Sequence, residues 1–254
     1  MKTRILISAL LLNAIFLNAQ TIMNIHRNNG TVITIPINTI DSITYTNGVN
    51  GIISNPGSGV TFNGYAYSSI ILGNGQEWMA ENLRTNKYAN GDTIPNVTNN
   101  SQWAGLSSGA WAHYNNNNQY ENPYGKLYNW YAVVDARNLC PSGWHIPSQS
   151  EWNILTNYLG GSNVAGGKLK ITGTQYWDIP NTGATNDIGF SAVGGGLKYM
   201  SGIPTSINQY GNWWSSTSNS GTPWYIGLYN SSAYCGQANF PDPAYGMSVR
   251  CIKD

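Results

Sequence analysis

Residues 148–161, SQSEWNILTNYLGG, constrain the fold most, because they carry both the start and the stop signal of a helix. Ser148 and Glu151 match a capping box, in which the serine oxygen accepts from a first-turn amide and the glutamate reaches back to the cap. Gly160-Gly161 can take the left-handed conformation that ends a helix. The spacing also predicts a buried stripe of Trp152, Leu155 and Leu159. The segment therefore predicts one amphipathic helix packed on a core.

The remaining pattern predicts helices first and strands later. YGKLYNWYAVV, residues 124–134, places Leu127, Trp130, Tyr131 and Val134 at helical spacing and predicts a second helix. From about residue 186 onward, short aromatic or β-branched runs alternate with Gly, Asn, Ser and Pro, which is typical of strands and turns. This order favours an α+β fold.

The first 60 residues divide into three predicted segments. Residues 1–19 combine a basic start with a short apolar stretch and a small residue at Ala19, which predicts a secretory signal. Residues 20–46 alternate β-branched and polar side chains around Asn29-Gly30, which predicts a small β element. Residues 47–60 are rich in Gly, Asn, Ser and Pro and predict a linker. The main domain is then expected at 61–254.

Charge excludes one class of partner. Removal of the predicted signal takes two of the 12 Lys and Arg and none of the 11 Asp and Glu, which leaves 10 − 11 = −1. The remaining cations are scattered singly, whereas nucleic-acid binding by counterion release requires a cluster. A second stretch of about 18 apolar residues is also missing, so no membrane span is expected in the mature chain.

Three cysteines follow the predicted signal: Cys140, Cys235 and Cys251. An oxidising compartment would permit one disulfide among them. Three pairings are possible, and each leaves one cysteine over. The alternative is three unrelated buried thiols.

Seven segments together resemble a known family. They are EWMAENLRTNKY, YGKLYNWYAV, LCPSGWHIPSQSEW, VAGGKLK, NTGATNDIGFSAVGGG, WWSSTS and GMSVRCIKD. In this order, over roughly residues 61–254, they are similar to the Fibrobacter succinogenes major paralogous domain of exported Bacteroidota proteins. HIPSQSEW and YGMSVRC also resemble segments of formylglycine-generating-enzyme-like domains. The resemblance implies a C-type-lectin-like fold, with helices on a small twisted antiparallel sheet. It also implies a Cys140–Cys251 disulfide and leaves Cys235 outside the family pattern.

Catalytic signals are weak, so no catalytic residue is predicted. Cys235 has no Lys, Arg or His within several residues, which favours an inert buried thiol over a reactive one. His145, between Trp144 and Ile146, is expected to be a core histidine rather than a general base. The scattered carboxylates give no pair for glycoside hydrolysis.

Metal-site signals are equally weak, and no cofactor is predicted. The spacings C-x-x-C and H-x-x-x-H do not occur, so zinc is unsupported. Calcium takes about six to eight oxygen ligands, and Asn181, Asn186 and Asp187 are weak candidates. The alternative is a loop in which these side chains bond their own backbone.

After catalysis and metal binding, ligand recognition is the function that remains. The chain has 10 Trp and 17 Tyr against 4 Phe, so most aromatic side chains carry a polar group that suits sugar or protein surfaces. The candidate ligand-binding residues are Trp213, Trp214, Tyr225, Tyr229 and Tyr234. Strand alternation in PWYIGLYN predicts Trp224, Ile226 and Leu228 in the core and the two tyrosines between and after them outside. In NWWSST, one tryptophan is expected inside and one outside.

The sequence therefore predicts an exported, non-catalytic recognition domain in the periplasm, on the cell surface or outside the cell. Its ligand would be a glycan or another protein. The competing hypotheses are an enzyme derived from the formylglycine-generating type of fold and a purely structural surface protein.

Overall fold

The computed structural model describes residues 22–26, 32–36, 52–239 and 242–254. The chain divides into two compact units, 1–45 and 46–254. The predicted signal segment, the Asn29-Gly30 turn and the first part of the predicted linker lie outside the described residues.

In the first unit, β1 (Ile22–His26) and β2 (Val32–Pro36) pair antiparallel. Ile22 lies opposite Pro36 and His26 opposite Val32. The alternating β-branched residues of the predicted β element therefore form a two-stranded ladder.

The second unit combines short helices with antiparallel sheets, which confirms the α+β class. Its helices are α1 (Asn100–Ala104), α2 (Glu121–Tyr124), α3 (Trp130–Val133), α4 (Gln149–Tyr158) and α5 (Ser162–Leu169). Its strands are β3 (Ser54–Pro56), β4 (Val60–Phe62), β5 (Tyr65–Tyr67), β6 (Ser69–Leu72), β7 (Glu77–Met79), β8 (Trp111–Ala112), β9 (Leu127–Asn129), β10 (Trp144–His145), β11 (Leu197–Lys198), β12 (Pro204–Thr205), β13 (Tyr210–Asn219), β14 (Thr222–Tyr229), β15 (Cys235–Asn239), β16 (Gly246–Met247) and β17 (Ile252–Lys253).

The strands build four sheets in this unit. Two have five strands, in the orders β10-β17-β7-β6-β3 and β12-β11-β16-β9-β8, one has three, β13-β14-β15, and one is the pair β4-β5. The last strand, β17, pairs with both β7 and β10. β3 pairs with β6, so residues 54–56 belong to a sheet, although the sequence placed them in a linker.

The predicted capped helix is confirmed as α4. Ser148 and Glu151 form both halves of the capping box. Gly160 and Gly161 have φ of 99° and 93°, the left-handed values that the stop signal requires. Trp152, which the pattern placed on the buried stripe, is 1% exposed.

The predicted helix over 124–134 is wrong in its first half. Residues 127–129 form β9, which pairs with β8 and β16, and only Trp130–Val133 are helical as α3. Asn129 caps that short helix, because its side-chain oxygen accepts from the amide of Ala132 at 3.1 Å. Strand partners distant in sequence therefore override the local helical spacing.

Asn82 is a fully bonded buried hub that joins four segments. Its Oδ1 accepts from Trp213 Nε1 at 2.8 Å and from Arg250 Nε at 2.9 Å. Its Nδ2 donates to the Tyr124 carbonyl at 2.9 Å and to Ser248 Oγ at 3.3 Å. Because the residue is 1% exposed, any replacement leaves buried partners unsatisfied.

Arg250 lies in the core, and among the described residues no carboxylate forms an ion pair with it. Besides Asn82, its guanidinium donates to the carbonyls of Phe190 and Ser191. It also lies 4.1 Å from the centre of the Phe190 ring, which gives a cation–π contact. Burial lowers the pKa of Arg250 to about 9.

The disulfide implied by the family resemblance is present. Cys140 and Cys251 are bonded, with Cα atoms 6.0 Å apart. The bond ties the segment before β10 to the segment before β17, and those two strands pair with each other. The cross-link therefore reinforces a contact that the sheet already makes.

Candidate functional site

The sheet β13-β14-β15 carries the predicted binding residues and separates two parts of the core. One face presents Trp213, Ile226, Leu228 and Cys235 to a cluster that also includes Trp78 and Trp152. The opposite face presents Trp214 and Tyr225 to a second cluster, around Tyr128 and Met247. Strand alternation holds, but both faces of the sheet are covered along much of its length.

The prediction that one of the two adjacent tryptophans faces outward is wrong. Trp213 is 1% exposed and Trp214 is 0% exposed. The indole nitrogen of Trp214 donates to the Tyr128 carbonyl at 2.7 Å, while that of Trp213 donates to Asn82. Because each side chain enters a different part of the core, neither can contact a ligand in this structure.

The prediction for β14 also needs correction. Tyr225 is buried, at 9% exposure, because the second core cluster covers its end of the sheet. Ile226 and Leu228 are in the core as predicted, whereas Trp224 is only half-buried near the start of the strand. Among the five candidate binding residues, only Tyr229 and Tyr234 are accessible.

These two residues and Tyr210 form a row across the three strands, here called the tyrosine row. Tyr210 pairs with Tyr229, and their ring centres are 5.3 Å apart at 80°. Cys235, the first residue of β15, pairs with Leu228, so Tyr234, directly before that strand, lies beside Tyr229. Tyr210 and Tyr234 are exposed and Tyr229 is half-buried. The row thus presents three aromatic rings with hydroxyl groups at one end of the sheet.

Two paired glycines let the central tyrosine recline on the sheet. Gly227 lies opposite Gly236. A Cβ on Gly227 would lie 3.0 Å from Tyr229 Oη, and one on Gly236 would lie 3.4 Å from the same atom. The hydroxyl end of Tyr229 therefore lies over the glycines of two strands, so its side chain lies along the surface of the sheet and does not project from it.

Asn212 adds an unpaired donor beside the row. It lies opposite Gly227 and, two residues after Tyr210, faces the same side of the sheet. The side chain is 3% exposed, and its Nδ2 has no hydrogen-bond partner among the described residues. A buried amide left without an acceptor is costly, but at 3% exposure this donor is closed off from a ligand in this structure.

The chain segment that carries the row is uncharged. Residues 199–241 contain no Asp, Glu, Lys or Arg. Burial, with a smaller contribution from Tyr210, raises the pKa of Tyr229. The hydroxyl group therefore stays protonated at neutral pH and can both donate and accept. Such a surface suits a neutral polar ligand with flat apolar faces.

Two of the three calcium candidates bond to backbone groups close by in the chain. Asn181 Nδ2 donates to the carbonyls of Ile171 and Gly173, at 3.0 and 2.7 Å. Asn186 Oδ1 accepts from the Ser191 amide at 2.7 Å. Within the described ranges, no cluster of three or more His, Cys, Asp or Glu could hold a metal ion. Calcium binding by Asn181, Asn186 and Asp187 stays a prediction.

The third cysteine, Cys235, lies among buried side chains. Cys235 is 1% exposed, and burial raises the pKa of its thiol to about 11.

His145 is not the core histidine expected from sequence, because 39% of its side chain is exposed. Its Nδ1 lies 2.6 Å from Asp254 Oδ1 and its Nε2 lies 2.8 Å from Glu151 Oε1. With both ring nitrogens bonded, it links α4 to the end of the chain.

Tyr210, Asn212 and the two glycines were missed from sequence. The signal was available in part, because Tyr210 and Asn212 alternate with Trp214 in YGNWWSST, as Gly227 alternates with Tyr225 and Tyr229. Only the strand register shows that these two patterns lie side by side.

The comparisons with known proteins add one match. The family model described as the Fibrobacter succinogenes major domain matches residues 72–253. No curated protein and no solved structure was found to match the chain. Among the described residues, none of the helices has the length and apolar character needed to cross a membrane.

Proposed function

The chain belongs to the Fibrobacter succinogenes major domain family, and from that premise we propose that it is an exported, non-catalytic recognition domain for uncharged glycans. Its scaffold would be C-type-lectin-like. The observation that carries the proposal is the tyrosine row of Tyr210, Tyr229 and Tyr234 over a glycine floor.

The chemistry of the row fits a pyranose ring. Such a ring has an apolar C–H face that packs on an aromatic face, while its hydroxyl groups need donors and acceptors at the edge. Tyr229 supplies the reclining ring, and Tyr210 and Tyr234 supply flanking hydroxyl groups. The absence of charge over residues 199–241 favours a neutral sugar over a polyanion.

Two features support the other parts of the proposal. Export agrees with the predicted signal in residues 1–19 and with the Cys140–Cys251 disulfide, since disulfides persist in oxidising compartments. A binding rather than catalytic role agrees with the surroundings of Cys235, because burial keeps its thiol protonated, and the thiolate is the reactive form.

Titration calorimetry of the full-length protein with cellotetraose, chitotetraose and mannotetraose tests the proposal. We expect saturable binding of at least one tetrasaccharide, and loss of about tenfold or more in affinity on Tyr229→Ala. Tyr199→Ala is the matched control, because Tyr199 is 44% exposed, like Tyr234, but lies outside the row.

Three outcomes would contradict the proposal. The first is no binding of any of the three sugars. The second is an equal loss of affinity in Tyr199→Ala and Tyr229→Ala. The third is loss of a measurable turnover on Cys235→Ala, which would favour the enzyme derived from the formylglycine-generating type of fold.

A further inference from the structure

We propose that Lys170 is the positioning residue of the tyrosine row, because its ammonium group fixes the turn that joins two of the three tyrosines. This inference rests on the proposed function. The turn, here called the β14–β15 turn, comprises residues 230–234, between Tyr229 and β15.

The ammonium group lies inside a cage of three backbone carbonyls. Lys170 Nζ donates to the carbonyl oxygens of Thr182, Tyr229 and Ser232 at 3.0, 2.8 and 2.9 Å. An ammonium group has three hydrogens to donate, so all of them are used. The residue is 0% exposed, which excludes water as a substitute at this position.

Two of the three carbonyls belong to the strand end and turn that carry the row. Tyr229 is the centre of the row, and Ser232 lies two residues before Tyr234. Lys170 follows directly after α5, so its hydrogen bonds connect the end of that helix to Tyr229 and to the β14–β15 turn. No other single side chain among the described residues bonds to both ends of this turn.

Backbone contacts bring the same helix, and the loop that contains Thr182, against the turn. The amide of Gly167 donates to the Ala233 carbonyl at 3.1 Å, and that of Thr182 donates to the Asn230 carbonyl at 2.7 Å. A Cβ on Gly166 would lie 2.4 Å from the Tyr234 carbonyl oxygen. The close approach permitted by these glycines places Lys170 within reach of the carbonyl cage.

Besides the carbonyl cage, the charge of Lys170 has an aromatic neighbour, because Nζ lies 5.4 Å from the centre of the Trp177 ring. In the described part of the chain, none of the ion pairs includes Lys170. Three carbonyl oxygens that converge without a donor repel one another, so a neutral side chain at this position would let the turn move. Burial lowers the pKa of Lys170 to about 8, and the three carbonyls remain its acceptors.

Lys170→Met tests the proposal, because methionine retains an unbranched chain and removes the three donors. Lys198→Met is the control: Lys198 is also 0% exposed, but among the described residues its Nζ donates one hydrogen bond, at 3.4 Å to Asn116 Oδ1. Hydrogen exchange of the 230–235 amides is measured for each, with tetrasaccharide binding as in the calorimetry above. Lys170→Arg keeps the charge and the donors.

We expect Lys170→Met to speed exchange at residues 230–235 by about tenfold or more and to weaken binding of the tetrasaccharide by a similar factor. Exchange in α4 should not change, Lys198→Met should alter neither readout, and Lys170→Arg should recover part of both. Unchanged exchange in the turn, or no recovery in Lys170→Arg, would overturn the proposal. Faster exchange with wild-type affinity would also overturn it. If the wild-type protein binds none of the sugars, the proposed function fails, and exchange alone decides whether Lys170 fixes the turn.

Discussion

Removal of the disulfide should destabilise the protein strongly, because the bond closes a long loop. Cys140 and Cys251 are separated by 111 positions in the chain. For a closed loop of this length, the chain-entropy relation gives a loss of about 16 cal/mol/K in the unfolded state, or about 4.8 kcal/mol near room temperature. We therefore expect the double variant C140A/C251A to lose about 4 to 5 kcal/mol in its free energy of unfolding.

The two alanines also remove buried sulfur atoms, and a matched control measures that cost. Cys235 is as buried as the two bonded cysteines but forms no cross-link. Cys235→Ala therefore reports the loss of one buried sulfur without any change in loop entropy. The difference between the double variant and twice the effect of Cys235→Ala isolates the cross-link.

Equilibrium unfolding in guanidinium chloride, extrapolated to water, gives each free energy. Thermal unfolding should agree, with a drop in Tm of about 10 to 19 °C for a domain of this size. If the double variant loses no more than twice the control, the cross-link does not constrain the unfolded chain, and the entropic reasoning is refuted.

Three further predictions concern α4, its histidine partner and the buried arginine. Ser148→Ala should lower the free energy of unfolding by about 1 kcal/mol, because it removes the cap, and chemical denaturation would show this; an unchanged midpoint would contradict it. Partial burial disfavours the charged form of His145, but hydrogen bonds to Asp254 and Glu151 outweigh it and raise its pKa. The stabilising contribution of His145 is therefore complete below about pH 6.5 and is lost as pH rises through the folded-state pKa. The difference in free energy of unfolding between wild type and His145→Gln should narrow from pH 6 to pH 9 in a series of chemical denaturations. A difference that widens with pH would contradict the raised pKa. Arg250→Met leaves the carbonyl oxygens of Phe190 and Ser191 without the guanidinium donor, at about 1 to 3 kcal/mol each, and should lower the unfolding free energy by at least about 2 kcal/mol; a loss below about 1 kcal/mol would show that these oxygens find other donors.

Local chemistry was predictable from the sequence, and α4 shows why. Its capping box and glycine stop act within a few residues, so Ser148, Glu151 and the two glycines identify the helix without knowledge of the fold. The α+β class followed from the change of pattern after residue 186. The disulfide followed from the family resemblance, since three cysteines alone allow three pairings.

Features that depend on distant partners were not predictable. The helical spacing of residues 127–134 gave way to pairing of β9 with β8 and β16. Trp213 and Trp214 alternate as a strand requires, but no local signal showed that both faces of β13 are covered. The carbonyl cage of Lys170 joins residues up to 62 positions apart, and backbone carbonyls leave no trace in a sequence.

The central claim is that the tyrosine row contacts an uncharged sugar. It is tested most directly by ¹⁹F NMR of protein labelled with 3-fluorotyrosine, with resonances assigned through Tyr→Phe variants and titrated with the same tetrasaccharides. We expect the resonances of Tyr210, Tyr229 and Tyr234 to shift along one saturation curve while that of Tyr199 stays fixed. Saturation with no movement of these three resonances, or movement of Tyr199 alone, would contradict the account.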